Sequence, residues 1–167
     1  MRNKKTLQLT TLAFVVAFAM ILSFVESRIP AFVAIPGIKV GLANIAVIFT
    51  LYKLGVKEAI TVSIVRVLLI SMLFGSAVSL IYSISGAVLS LLTMIVLKKL
   101  TPLNEVTISV TGGVMHNVGQ IAAASFMLST NVVVYYLPFL LVSGTIAGIV
   151  VGIASAILIK RVKFSYR

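Results

Sequence analysis

The sequence predicts an all-α integral membrane protein, a bundle of six transmembrane helices. Three observations carry this. Of the 167 residues, 60% are hydrophobic and 10% are charged, against about 45–50% and about 25% in soluble domains. The apolar residues fall into six long runs. The basic residues collect at alternate junctions between those runs, as the positive-inside rule requires. A soluble chain this apolar would lack polar groups to cover its surface, so lipid is the solvent that fits.

A spanning helix needs about 20 mostly apolar residues. The predicted spans are 6–25, 40–54, 57–74, 77–97, 106–128 and 135–159, within one domain covering 1–167. The first run, Leu7 to Val25, is long, lacks an A-x-A exit and is followed by more such runs, so it reads as a retained helix and not a cleaved signal. The second run is short. The connection before it, Arg28 to Lys39, is apolar and holds Pro30, Pro36 and Gly37, which no regular helix accommodates. It reads either as a plain interfacial connector or as a lid over the bundle, with Glu26, Arg28, Pro36 and Gly37 as its residues. Irregular backbone at that depth must be buried in protein or line a wet cavity.

Eleven of the 14 Lys and Arg residues flank runs on one side, provided the chain crosses six times. They precede the first helix (Arg2, Lys4, Lys5), flank the second turn (Lys53, Lys57), follow the fourth helix (Lys98, Lys99) and follow the sixth (Lys160, Arg161, Lys163, Arg167). The rule places that face, and both termini, in the cytoplasm of a cell membrane. The formal charge of +11 is therefore topological, and no basic–aromatic face points to nucleic acid. Cysteine is absent, which excludes disulfides and thiolate metal sites.

Gly144, Gly148 and Gly152 in the sixth helix recur at four-residue spacing, as do Ala13 and Ala17 in the first. Residues four apart share a helix face. Small side chains there allow close helix approach where lipid supplies no hydrophobic drive. For the glycines this reads as packing within the bundle. For Ala13 and Ala17 it reads as packing or as the seat of a partner helix.

Arg66 stands near the middle of the third helix. A charge at that depth costs about 2.5–3.5 kcal/mol on insertion scales, so it needs a partner or a wet cavity. Ala59, Ser63, Arg66 and Ile70 share its face. A buried ion pair with a glutamate and a ligand-facing role both remain open. In the fifth helix, Gly113, His116, Asn117, Gln120 and Ala124 occupy an arc of about 100°. Donors and acceptors flanked by small residues make a site, or alternatively an interhelical hydrogen-bond cluster. Asn44 and Lys39, at the outer end of the second helix, complete the constellation. Arg28, Lys39 and Arg66 against Glu26 leave the outer half positive, which favours an anion such as a phosphate, diphosphate or carboxylate.

One His with no Asp and no Cys makes no metal first shell. There is no G-x-x-x-x-G-K-[ST] loop for ATP. Asp-rich motifs to hold magnesium are also missing, and no cofactor is expected. Paired carboxylates and a nucleophile–base pair are lacking, so an enzyme is poorly supported.

The stretches Gly37-Ile-Lys-Val-Gly-Leu-Ala-Asn44, Arg66-Val-Leu-Leu69, Ser85-Gly-Ala-Val-Leu-Ser90, His116-Asn-Val-Gly-Gln120 and Tyr136-Leu-Pro138 together resemble the Gx transporter family, also labelled heptaprenyl diphosphate synthase component I. The resemblance runs from about Glu26 to Gly152. That family is grouped with the substrate-binding (S) components of energy-coupling factor importers. The resemblance implies six helices, an outward site under the first outer loop, and partnership with a membrane coupling (T) component and two ATPase subunits. Ala13 and Ala17 match the docking motif of such components. Lys39, Asn44, Arg66, His116, Asn117 and Gln120 match the polar positions of the family pattern. The synthase label sits poorly on a chain with no Asp. Two other functions stay open: a non-catalytic membrane subunit linked to polyprenyl diphosphate or quinone synthesis, and a stand-alone secondary permease.

Overall fold

A computed structural model describes residues 4–28, 41–74, 77–129 and 132–162. Among these the regular secondary structure is all helical, with no strand. The helices are α1 (Lys4–Arg28), α2 (Asn44–Lys53), α3 (Val56–Phe74), α4 (Ala77–Leu100), α5 (Glu105–Leu128) and α6 (Leu137–Arg161), with a 3₁₀ turn at Val132–Tyr136.

Local chemistry sets the boundaries. Asn104 caps α5 by accepting from the Thr107 backbone N–H at 2.8 Å, and Glu105 in the first turn favours the helix dipole. Pro138 sits in the first turn of α6, where its missing N–H costs nothing. That helix therefore starts at Leu137, two residues later than the expected Tyr135. α4 runs three residues past the expected Leu97. There Lys98 donates from Nζ to the Leu51 carbonyl at 2.5 Å, satisfying a carbonyl in the last turn of α2, while Thr101 and Pro102 stop the helix. α2 begins at Asn44 and not at residue 40, because Gly41 adopts a left-handed conformation with φ 73°. Its ten residues span about 15 Å, half the hydrocarbon thickness. The explanation is burial: every residue from Ile45 to Leu51 is enclosed by the other helices, so α2 does not face lipid.

Neighbouring helices alternate in direction. Gln8 near the start of α1 donates to Glu58 near the start of α3 at 2.8 Å. The end of α4 reaches the end of α2 through Lys98. Gly152, late in α6, packs on Val106, early in α5. These contacts bring Lys53, Lys57, Lys98, Lys99, Lys160 and Arg161 to one end of the bundle, as the charge pattern requires.

α5 and α6 meet backbone to backbone. A Cβ on Gly148 would lie 2.6 Å from the Cα of Val110, and one on Gly152 would lie 2.8 Å from the Cα of Val106. The glycine row is thus a packing seam. The other side of the core is filled by aliphatic side chains of α1, α2 and α3, among them Val15, Ile48, Leu51 and Val62.

α1, α4 and the 3₁₀–α6 segment are each long and apolar enough to cross a membrane. α3 carries Lys57, Glu58 and Arg66, and α5 carries His116, Asn117 and Gln120, which makes these two less apolar. Large apolar side chains ring the outside, with Phe14 72% and Met72 81% exposed. Such a surface is ordinary in lipid and a liability in water. The chain is a membrane protein.

Candidate functional site

Asn44, Arg66, His116, Asn117 and Gln120 line one cavity of about 450 Å³, together with Glu26. That volume is within the range of small-molecule pockets, about 300–1,000 Å³. All six helices contribute to the lining. Beside α3 and α5, the helices α4 and α6 line the cavity along much of its length. A wider depression of about 660 Å³ lies between the end of α5 and the start of α6. Its lining is mainly apolar, and none of the predicted polar residues reaches it.

Arg66 is 8% exposed. One guanidinium nitrogen, Nη2, donates to Asn44 Oδ1 at 3.1 Å. Its Nε is buried with no hydrogen-bond partner. Glu26 attracts it electrostatically, yet no ion pair to Arg66 forms among the described residues. Of the two readings left open for Arg66, a closed ion pair is therefore not what the structure contains. The guanidinium retains donors for a further acceptor.

Glu26 instead accepts the backbone N–H of Gly41 at 2.5 Å. This ties the end of α1 to the approach of α2. Gly41 is required there twice over. Its φ is left-handed, and a Cβ would crowd Asn44 Nδ2 at 3.2 Å. The turn thereby sets the Asn44 amide against Arg66.

On α5 the polar arc divides in its duties. Asn117 Nδ2 donates to the Leu140 carbonyl of α6 at 2.6 Å, so this amide serves as an interhelical bond as well as a lining group. Gln120 makes no side-chain hydrogen bond to a described residue and keeps both functions for the cavity. His116 packs on Gly86, where a Cβ would sit 2.8 Å from its Cε1. The small residue on α4 makes room for the imidazole.

Ser71 of α3, Ser79, Tyr82, Ser83 and Ser90 of α4 and Ser109 of α5 also line the cavity. Sequence reasoning did not single them out. The signal available was the spacing of Ser79, Ser83, Gly86 and Ser90, which marks one polar face of α4. Lys39, Pro36 and Gly37 lie outside the described residues, as does the Arg28 side chain. Ala13 and Ala17 are exposed on α1, as a docking face requires.

An all-helical membrane protein built around a partly polar cavity is the class that the fold and the site define. Within that class the chain belongs to the family described as heptaprenyl diphosphate synthase component I, whose model matches residues 15–158. This is the family, also termed Gx transporter, that the sequence motifs resemble. No curated protein and no solved structure matches the chain.

Proposed function

We propose that the chain is the substrate-binding S component of an ATP-driven energy-coupling factor importer, capturing a small anion from outside. The observation that carries this reading is Arg66: a nearly buried guanidinium, bonded through one nitrogen to Asn44, lining a ligand-sized cavity. A charge at membrane depth marks a functional site by default. Planar guanidinium donors suit carboxylate and phosphate oxygens. His116, Asn117 and Gln120 supply further polar contacts. In this reading the basic end faces the cytoplasm, and ligand enters from the opposite end.

Energy comes from partners: a coupling component seated on Ala13 and Ala17, and two ATPase subunits. We read the chain as non-catalytic, because Glu58 and Glu105 sit at the basic end and Glu26 is engaged by Gly41.

The family description favours a second reading, a non-catalytic membrane subunit of polyprenyl diphosphate synthesis. Purification from the native membrane separates the two. Co-purifying ATPases, lost on Ala13→Leu with the fold intact, support the importer. Co-purification of a soluble prenyl synthase without ATPases would replace it with the second reading.

A further inference from the structure

Serine and threonine hydroxyls in this bundle differ in whether they are satisfied on their own helix. Away from the cavity, Thr50, Thr93, Thr145 and Ser155 each donate to the carbonyl four residues back, at 2.7–2.8 Å. This is the usual way to satisfy a hydroxyl inside a helix bundle. Among the lining residues, Ser71, Ser83, Ser90 and Ser109 make no such bond. Ser109 is the extreme case. It is 3% exposed, its Oγ is buried without a hydrogen-bond partner, and it lines the cavity. A buried hydroxyl left unpaired costs free energy that a ligand atom can recover.

Ser109 is not at the level of Arg66. Counted from the basic end of the bundle, Arg66 lies ten residues into α3 and Ser109 four residues into α5. Arg66 meets Asn44 at the start of α2, the end away from Lys53, whereas Ser109 lies beside Gly152, towards the basic end of α5 and α6. Around Ser109 the lining comprises Ser90, Met94, Gly112 and Val151, with no charged side chain. Towards the other end Arg66 and Glu26 are the charged lining residues among those described, so a single guanidinium is available to an anion there.

We propose that the ligand is charged at one end only. A single anionic group of the carboxylate kind engages Arg66 and Asn44, and an uncharged hydrogen-bonding group at the far end pairs with Ser109 and Ser90. This rests on the reading of the cavity as an anion-capture site and names the class of anion. It runs against an isoprenoid diphosphate. Such a molecule would bring several negative charges to one arginine and would lay hydrocarbon against the unpaired Ser109 hydroxyl.

The test uses the full chain in lipid nanodiscs, with binding followed by calorimetry. The probes are ω-hydroxyalkanoates from hexanoate to decanoate in length, the matching unsubstituted alkanoates, and geranyl diphosphate. At the best length the hydroxy acid is expected to bind about tenfold tighter than its alkanoate, the worth of one buried hydrogen bond. Ser109→Ala combined with Ser90→Ala should erase that preference, bringing the hydroxy acid and its alkanoate to equal affinity. Alanine at these sites removes only an oxygen, and an unchanged melting temperature verifies the fold. Arg66-dependent binding with no hydroxyl preference at any length overturns this proposal while leaving anion capture standing. Tighter binding of geranyl diphosphate, or no binding of any probe, overturns it too. Binding that survives Arg66→Leu strikes the anion-capture reading itself.

Discussion

The two walls of the cavity are built by different means. On one side, α5 and α6 press backbone against backbone along Gly144, Gly148 and Gly152, and α4 closes on α5 at Gly86, Gly112 and Gly119. On the other side, α1, α2 and α3 meet through aliphatic side chains, and the exposed row of Ala13 and Ala17 lies on α1. The first wall fixes the polar arc of His116, Asn117 and Gln120 in position, since a glycine seam has no side chain to repack. The second wall carries the two charges, Arg66 and Glu26, on surfaces that can adjust. A binding protein that must hold a ligand and also answer to a partner gains from this division.

The contrast breaks most visibly at Gly148. A Cβ there would stand 2.6 Å from the Cα of Val110, and backbone cannot move aside as a side chain can. Gly148→Leu is expected to destabilise by about 3 kcal/mol or more, at or beyond the upper end of ordinary overpacking. Thermal unfolding in detergent reads it. Ala13→Leu on exposed α1 should stay within about 0.5 kcal/mol of the parent. Equal losses at the two positions would mean that the walls do not differ.

Arg66 sharpens the comparison in the opposite sense. Arg66→Leu removes a charge that is costly at membrane depth, so thermal stability should hold or rise. Anion binding, measured by calorimetry, should weaken roughly 10- to 100-fold, the worth of about 1.5–3 kcal/mol for a charged hydrogen bond. Arg66→Lys should recover part of this, because it keeps the charge and loses the planar fork. A parallel loss of stability and binding would instead make Arg66 a structural residue.

These residues differ in how legible they were. Arg66 and the α5 arc could be read because charge and amide groups are rare enough at membrane depth to demand an explanation. The six helices could be read because lipid imposes both run length and charge asymmetry. The serine wall of α4 could not, since a serine satisfies itself on its own helix as readily as it faces a cavity, and only coordinates distinguish Ser109 from Ser155. The length of α2 misled for a related reason. Apolar composition marks a helix that avoids water, whether lipid or protein surrounds it, and α2 is surrounded by protein. Nor did spacing reveal that Asn117 is pledged to Leu140, because its partner is a backbone carbonyl that no sequence pattern announces.

Asn117 therefore belongs more to the rigid wall than to the ligand. Asn117→Ala removes the 2.6 Å bond to the Leu140 carbonyl, and the stability cost should be about 0.6 kcal/mol and at most about 1.7. Thermal unfolding should register it more clearly than ligand titration does. An affinity loss as large as that of Arg66→Leu would move Asn117 to the other side of the comparison.

The smallest effect is expected at Glu26, and its sign is the informative part. Gln in place of Glu26 keeps an oxygen to accept the Gly41 N–H, so the junction between α1 and α2 is preserved. The negative charge that attracts Arg66 is removed. An incoming anion then competes with the neutral Asn44 amide for the guanidinium and with no negative charge among the described residues. Affinity for a carboxylate probe should rise roughly two- to fivefold, in line with about 0.5–1 kcal/mol for a loosely held charge pair. The gain should shrink as salt is added, since the interaction is partly screened. A fall in affinity would mean that Glu26 meets the ligand directly through a donor group. The adjustable wall would then read both ends of a dipolar molecule, and the charge at α1 would be a second recognition element beside Arg66.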